Sequence, residues 1–134
     1  MIIPKKILLV EDDADDQLFF TDALEMIDDN ISCQIANNGN EALEVLNRFK
    51  PEMIFMDLNM PIINGFECLR QIRQEEKFQA VPVVIFTTSR NAHDIEKAKS
   101  LGADLFFTKP SNFRILSDKL REIVTNLRSL PFSL

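Results

Sequence analysis

Short apolar runs and longer amphipathic stretches alternate along the whole chain. The apolar runs are Lys5–Val10, Ser32–Ala36, Met53–Met56, Val81–Phe86 and Leu105–Phe107. Each has the length of a strand, and several are apolar without alternation, which marks a parallel strand covered on both faces. The stretches between them carry apolar residues at helical spacing. From about Asp15 to Ile27, Leu18, Phe19, Ala23, Leu24 and Ile27 fall on one side. Asn40–Phe49 presents Ala42, Leu43, Val45 and Leu46, and Gly65–Arg73 presents Phe66, Leu69 and Ile72. Asn91–Ser100 is weaker, with Ile95, Ala98 and the adjoining Leu101, so this fourth helix is expected to pack loosely. Phe113–Leu127 presents Ile115, Leu116, Leu120, Ile123 and Leu127. Five β-then-α units predict an α/β domain: a five-stranded parallel sheet, doubly wound, with right-handed crossovers and helices on both faces.

In open sheets of this kind, sites form at the carboxyl ends of the strands, where the strand order reverses. The first run ends in Glu11-Asp12-Asp13, and the third in Asp57 with Asn59 two residues on. The fourth ends in Thr87-Thr88-Ser89, and the fifth is followed by Lys109-Pro110. The second ends in Asn37-Asn38-Gly39, a turn. Carboxylates, a hydroxyl and an ammonium thus converge on one edge. Two carboxylates ~4 Å apart repel by about 4 kcal/mol at an effective dielectric near 20. One lysine does not neutralise three acids, so a cation is expected among Glu11, Asp12 and Asp57. All candidate ligands are oxygens and no cage surrounds them, which favours Mg²⁺ over Ca²⁺ and Zn²⁺. Asp13, Asp15 and Asp16 read differently, as acids of a solvated helix start favoured by the helix dipole. Lys109-Pro110 is a candidate for a cis bond, since X–Pro bonds alone populate cis readily.

Composition narrows the function classes. The length of 134 residues suits one core, and the net charge of −6 argues against sequence-independent nucleic-acid binding. No apolar stretch is long enough to span a bilayer, and MIIPKK lacks a signal-peptide core, so a cytoplasmic protein is expected. Cys33 and Cys68 sit inside apolar patterns and read as free thiols. His93 is the only histidine, which excludes a histidine-rich metal site.

Four motifs stand in order at the strand ends: LLVEDD, MDLNMPIING, FTTS and FFTKP. In these the chain resembles the receiver domains of two-component response regulators, over nearly its whole length. The resemblance implies a flavodoxin-like (βα)5 fold and a phosphorylatable signalling switch. Asp57 would be the phosphoacceptor, and Glu11 and Asp12 the acidic pair. Asp12 would bind Mg²⁺ directly, Glu11 more through water, and Asn59 would give its backbone carbonyl. Thr87 would hydrogen-bond a phosphoryl oxygen, Lys109 would pair with Asp57 and then the phosphoryl group, and Phe106 would be the aromatic switch. Gly65 would let the loop after the third strand turn sharply. The partners implied are a sensor histidine kinase or phosphotransfer protein and an output partner. The Glu-Asp pair, Thr88 and the long Gln74–Ala80 stretch depart from the commonest pattern. That long stretch, with FTTS and the ending SLPFSL, resembles the stand-alone, phytochrome-associated type.

The expected organisation is one receiver domain over residues 1–128, a tail over 129–134 and no output domain. Leu130, Phe132 and Leu134 lie past the last helix and suggest a homodimer through helix 4, strand 5, helix 5 and the tail. A tail folded back on its own domain is the other reading. Two further function classes remain. A haloacid-dehalogenase-type phosphatase also uses a strand-end Asp, but needs a second Asp where this chain has Asn59. A receiver used only as an unphosphorylated binding module would need no intact site.

Overall fold

The computed structural model describes residues 3–134. The strands are β1 (Lys6–Val10), β2 (Ser32–Ala36), β3 (Met53–Met56), β4 (Val83–Thr87) and β5 (Leu105–Thr108). The helices are α1 (Ala14–Ile27), α2 (Gly39–Val45), α3 (Gly65–Gln74), α4 (Ala92–Ser100) and α5 (Phe113–Asn126). All strands are parallel, in the order β2-β1-β3-β4-β5. This is the expected doubly wound (βα)5 sheet, and its order reverses between β1 and β3.

The unbroken apolar strands are explained by two cores. On one face Ile7, Leu9, Phe55, Val84 and Phe107 pack against α1 and α5 through Phe20, Leu116, Leu120 and Ile123. On the other, Leu8, Val10, Ile54, Met56, Ile85 and Phe106 meet Ala42, Val45, Leu69, Ile72 and Ala98. Fully burying one such side chain contributes about 1.5–3 kcal/mol. The single buried residue of α4 is Ala98, in line with its weak apolar pattern. Each helix starts on an Asx cap: Asp13, Asn38, Asn64, Asn91 and Asn112 each accept a backbone N–H of the first turn.

Two boundaries differ from expectation. Helix α2 ends at Val45 because the next residues tighten into i→i+3 bonds: Asn47 N–H to Glu44 O at 3.1 Å and Arg48 N–H to Val45 O at 3.0 Å. The stretch after α3 holds a 3-10 turn, Glu76–Phe78, which buries Phe78 in the core shared by α2 and α3. No peptide bond among the described residues is cis, so Lys109-Pro110 is trans. Cys33 and Cys68 are free, and burial pushes both thiols up to about 12. No helix among the described residues is long and apolar enough to cross a membrane.

The tail follows the second of its two readings and folds back on its own domain. After a 3-10 turn at Leu127–Ser129 it runs parallel to the outer edge of β5. Phe106 N–H donates to Phe132 O at 2.7 Å, Leu134 N–H to Phe106 O at 2.8 Å, and Thr108 N–H to Leu134 O at 2.9 Å. Phe132 packs on the α4 side, while Leu130 and Leu134 pack on the α1–α5 side. The tail therefore uses its apolar residues to cover its own sheet edge, which answers the hazard of an open strand. It is not a free anchor for a second copy. Phe132→Ala is expected to cost about 1.5 kcal/mol, less than full burial because the ring is only half-buried. Amide exchange at Phe106 and Thr108 should rise in the same variant. Urea melts followed by circular dichroism test the first expectation, since the chain has no Trp or Tyr.

Candidate functional site

Sheet register assembles the site. Val10 pairs with Met56, so Glu11 and Asp57 emerge side by side one step beyond. Thr87 pairs with Thr108, so Lys109 follows directly, with its N–H on the Thr87 carbonyl at 2.7 Å. Strand order does the rest, because β1 and β3 flank the point where the crossovers part.

The three acids differ in environment. Glu11 is 1% exposed, Asp57 is 6% exposed, and Asp12 is open to solvent. One oxygen from each lies within 4.8 Å of the others. Lys109 reaches in from the β5–α5 loop. Its ammonium donates to Glu11 Oε1 at 2.6 Å and to Asp16 Oδ2 at 2.8 Å, and lies 3.5 Å from Asp57 Oδ2. The expected Lys109–Asp57 pair is thus present as the longest of three. Asp57 Oδ1 is buried with no hydrogen-bond partner. A buried carboxylate oxygen left bare is costly unless something fills the gap.

Protonation follows from this crowding. Burial drives Glu11 up to about 7, against the Lys109 hydrogen bond that favours its charged form, and the charge of Asp57 adds to the rise. Burial alone would lower Lys109, but its hydrogen bonds to Asp16 and Glu11 and the charge of Asp57 outweigh it and hold the ammonium above the ordinary lysine value. Four carboxyl groups, those of Glu11, Asp12, Asp16 and Asp57, thus gather around one ammonium. An all-oxygen donor set, the surplus of acids over cations and the bare Asp57 oxygen together fit a hard divalent cation. Glu11, Asp12 and Asp57 are the side chains that could hold it. Asn59 lies exposed beside them, in an opening shared with Asp12, Met60, Asn64 and Asp94.

Thr87 and Phe106 lie on the neighbouring strands β4 and β5. Thr87 is fully buried at the end of β4, next to exposed Thr88. Phe106 is fully buried within the core under α4. Ser89 Oγ donates to Asp94 at 2.7 Å, and Thr108 Oγ1 donates to the Ser89 carbonyl at 2.9 Å, fastening the β4–α4 loop to β5.

Two features were misread or missed. Gly65 is needed for close approach and not for a left-handed backbone: an added Cβ would overlap the Asp57 carbonyl and stand 2.8 Å from Leu58 Cα. The left-handed residue of this loop is Ile62, at φ 71° and 77% exposed. A β-branched side chain there costs about 1–2 kcal/mol. Ile62→Asn removes that strain and little packing, so it is expected to raise stability by about 1 kcal/mol in urea melts. Asp16 is the missed residue. It reads as a helix-start acid, yet it bonds Lys109 from 93 positions away. Topology carried the signal, since α1 and α5 share a face and bring the first turn of α1 to the β5–α5 loop.

Comparison with known proteins bears on this geometry. The response regulator receiver domain family matches residues 7–121. The response regulator Rcp1 of Synechocystis sp. is 32% identical over 120 residues, which are 84% of this chain and 82% of Rcp1. The crystal structure of the phosphorylated cyanobacterial phytochrome response regulator RcpA superposes with a TM-score of 0.83 at 30% identity, over 95% of this chain and 98% of that one. A protein-glutamate methylesterase/protein-glutamine glutaminase of Methanococcoides burtonii is 39% identical over 93% of this chain, but the chain spans only 35% of its length. The family match spans most of the chain, and the chain belongs to the response regulator receiver domain family.

Proposed function

We propose that Asp57 accepts a phosphoryl group from the phosphohistidine of a sensor histidine kinase or a phosphotransfer protein. The observation that carries this is the bare, buried Asp57 oxygen between an acidic pair and Lys109. In the transfer an Asp57 oxygen forms the new bond to phosphorus as the donor's P–N bond breaks, leaving an acyl phosphate. Lys109 sets positive charge against the phosphoryl oxygens, and the Thr87 hydroxyl donates to one of them. Thr87 and Phe106 stand on adjacent strands, so a shift at Thr87 is passed to the α4–β5–α5 face. An output partner, a second copy of the chain included, reads that face. The tail pairs with β5 there, so it takes part as a fixed edge of the surface.

Mg²⁺ is the proposed cation, held by Asp12 and Asp57 with Glu11 more remote and the Asn59 carbonyl as a further ligand. When bound it would offset negative charge on the phosphoryl group. Turnover is limited to self-phosphotransfer from small donors and self-dephosphorylation. A haloacid-dehalogenase reading has no support in the family match, and Asn59 carries no carboxyl group to move a proton. An unphosphorylated binding module would not need Glu11, Asp57 and Lys109 gathered at one buried spot.

Mass spectrometry after acetyl phosphate treatment is expected to show one adduct, lost in EDTA and lost in Asp57→Asn. Label retained in either sample overturns the reading. Mg²⁺ at ~100 times its dissociation constant is expected to add about 2.7 kcal/mol of stability, an increment that Asp12→Ala should abolish.

A further inference from the structure

Lys109 is a flexible donor that the site must aim. An ammonium is a compact charge with three N–H donors on a four-carbon stem, so one contact does not fix its direction. Here the stem has room to move. Lys109 lines a recess of about 360 Å³ with Asp16, Phe19, Phe86, Thr88 and Pro110. The Phe86 ring lies 5.5 Å from Nζ, a contact with no directional donor–acceptor geometry. Two carboxylates give the ammonium its direction: Glu11 from the end of β1 and Asp16 from the first turn of α1. With two donors so engaged, the third is left for Asp57 Oδ2, which is within ion-pair reach at 3.5 Å but not yet hydrogen-bonded.

The two anchors are not equivalent. Glu11 also belongs to the acidic cluster, so its carboxylate is shared with whatever charge fills that cluster. Asp16 stands outside the cluster, and its bond to Lys109 does not compete with a cation. Its placement is built in as well. The Asp16 N–H is capped by Asp13 Oδ1 at 2.9 Å, which ties the first turn of α1 down at this residue. We propose that Asp16 is a positioning residue for phosphoryl transfer, holding Lys109 so that its free N–H faces Asp57 and the phosphoryl group placed there. The proposal rests on Asp57 being the phosphoacceptor. A plain surface ion pair would do nothing measurable to the reaction, and Asp16 is 39% exposed. Lys109 at 10% exposure is not a surface partner, and a misplacement of ~1 Å at a reacting group costs about 100-fold.

The test uses the full chain, unaltered and as Asp16→Ala, Asp16→Asn and Asp16→Glu, in saturating Mg²⁺. Acetyl phosphate labelling of Asp57 is followed by mass spectrometry, Mg²⁺ affinity by calorimetry and folding by circular dichroism. Asp16→Ala is expected to label at least about tenfold more slowly with Mg²⁺ affinity within about twofold, and Asp16→Glu to recover most of the rate. Asp16→Asn, which keeps an acceptor oxygen, should fall between. A second readout needs no phosphorylation. The Lys109 ammonium ¹H–¹⁵N signal, visible only when exchange with water is slow, should be present in the unaltered chain and Asp16→Glu and absent in Asp16→Ala. Labelling in Asp16→Ala that is unchanged or faster overturns the proposal. So does an ammonium signal that survives in it, or a loss of rate that Asp16→Glu shares or that follows a collapse of the fold. An unaltered chain that takes no label on Asp57 removes the phosphoacceptor reading itself, and the proposal with it.

Discussion

Gly65→Ala is expected to destabilise the domain by about 3 kcal/mol or more and to slow labelling of Asp57 in whatever fraction folds. Its new methyl group would meet backbone and not a yielding side chain: the Asp57 carbonyl oxygen and carbon, and Leu58 Cα. Overpacking in a tight interior costs about 1–3 kcal/mol when neighbours can shift, and more when they cannot. Here they cannot shift cheaply. Asp57 N–H is bonded to Val10 O at 3.0 Å and Gly65 N–H to Leu58 O at 3.0 Å, so relief would pull the phosphoacceptor strand off β1 or unwind the start of α3. Gly102→Ala is the informative contrast. Its backbone sits at φ 96°, but its added Cβ would face only side-chain atoms, those of Arg73 at 3.3 Å. That change should cost about 1–2 kcal/mol and leave labelling alone. Urea melts of both variants give the comparison. A Gly65→Ala protein as stable as Gly102→Ala would show that the β3–α3 loop is softer than its hydrogen bonds imply.

The fold could be read from the sequence because burial on both faces leaves a plain trace, an unbroken apolar run such as Ile54-Phe55-Met56. The site could be read in outline because strand ends are marked by abrupt changes from apolar to charged, as at Val10-Glu11 and Met56-Asp57. What could not be read depends on distances that no local pattern encodes. Asp16 looks like any acid in a first turn, and its bond to Lys109 exists only because α1 and α5 pack on one face. Gly65 looks like a turn glycine, since a close backbone approach and a left-handed φ both call for glycine and leave the same letter. The tail is apolar whether it docks on β5 or on another molecule. Its alternation (Leu130 and Leu134 to one core, Phe132 to the other) becomes meaningful only once the open edge of β5 is known. The sparse anchors of α4, by contrast, were visible in its sequence.

Lys109→Met is expected to lower stability in the absence of divalent cations by about 3 kcal/mol. Lys109 is the cation that pairs with Glu11, Asp16 and Asp57 together. Removing one partner of a buried ion pair costs about 3–5 kcal/mol, because the other charge stays buried without compensation. The lower figure applies here because Asp16 keeps its contact with water and because Glu11 can take up a proton, its pKa already standing at about 7 with the lysine present. Methionine retains the stem that packs beside Phe86, so the loss isolates charge from volume. Divalent cation should then act more strongly on the variant than on the unaltered chain. In the latter Lys109 has already offset part of the cluster's charge; in the variant the whole of it is left for the ion. Urea melts of Lys109→Met with and without Mg²⁺ should therefore differ by more than those of the unaltered protein, even though the variant loses the donor that steadies the phosphoryl group. Equal Mg²⁺ increments in the two proteins would mean that Lys109 and the cation act on different carboxylates. Lys109→Arg keeps the charge on a planar fork too wide for three acceptors around one point, so it should recover part of the stability and little of the labelling rate.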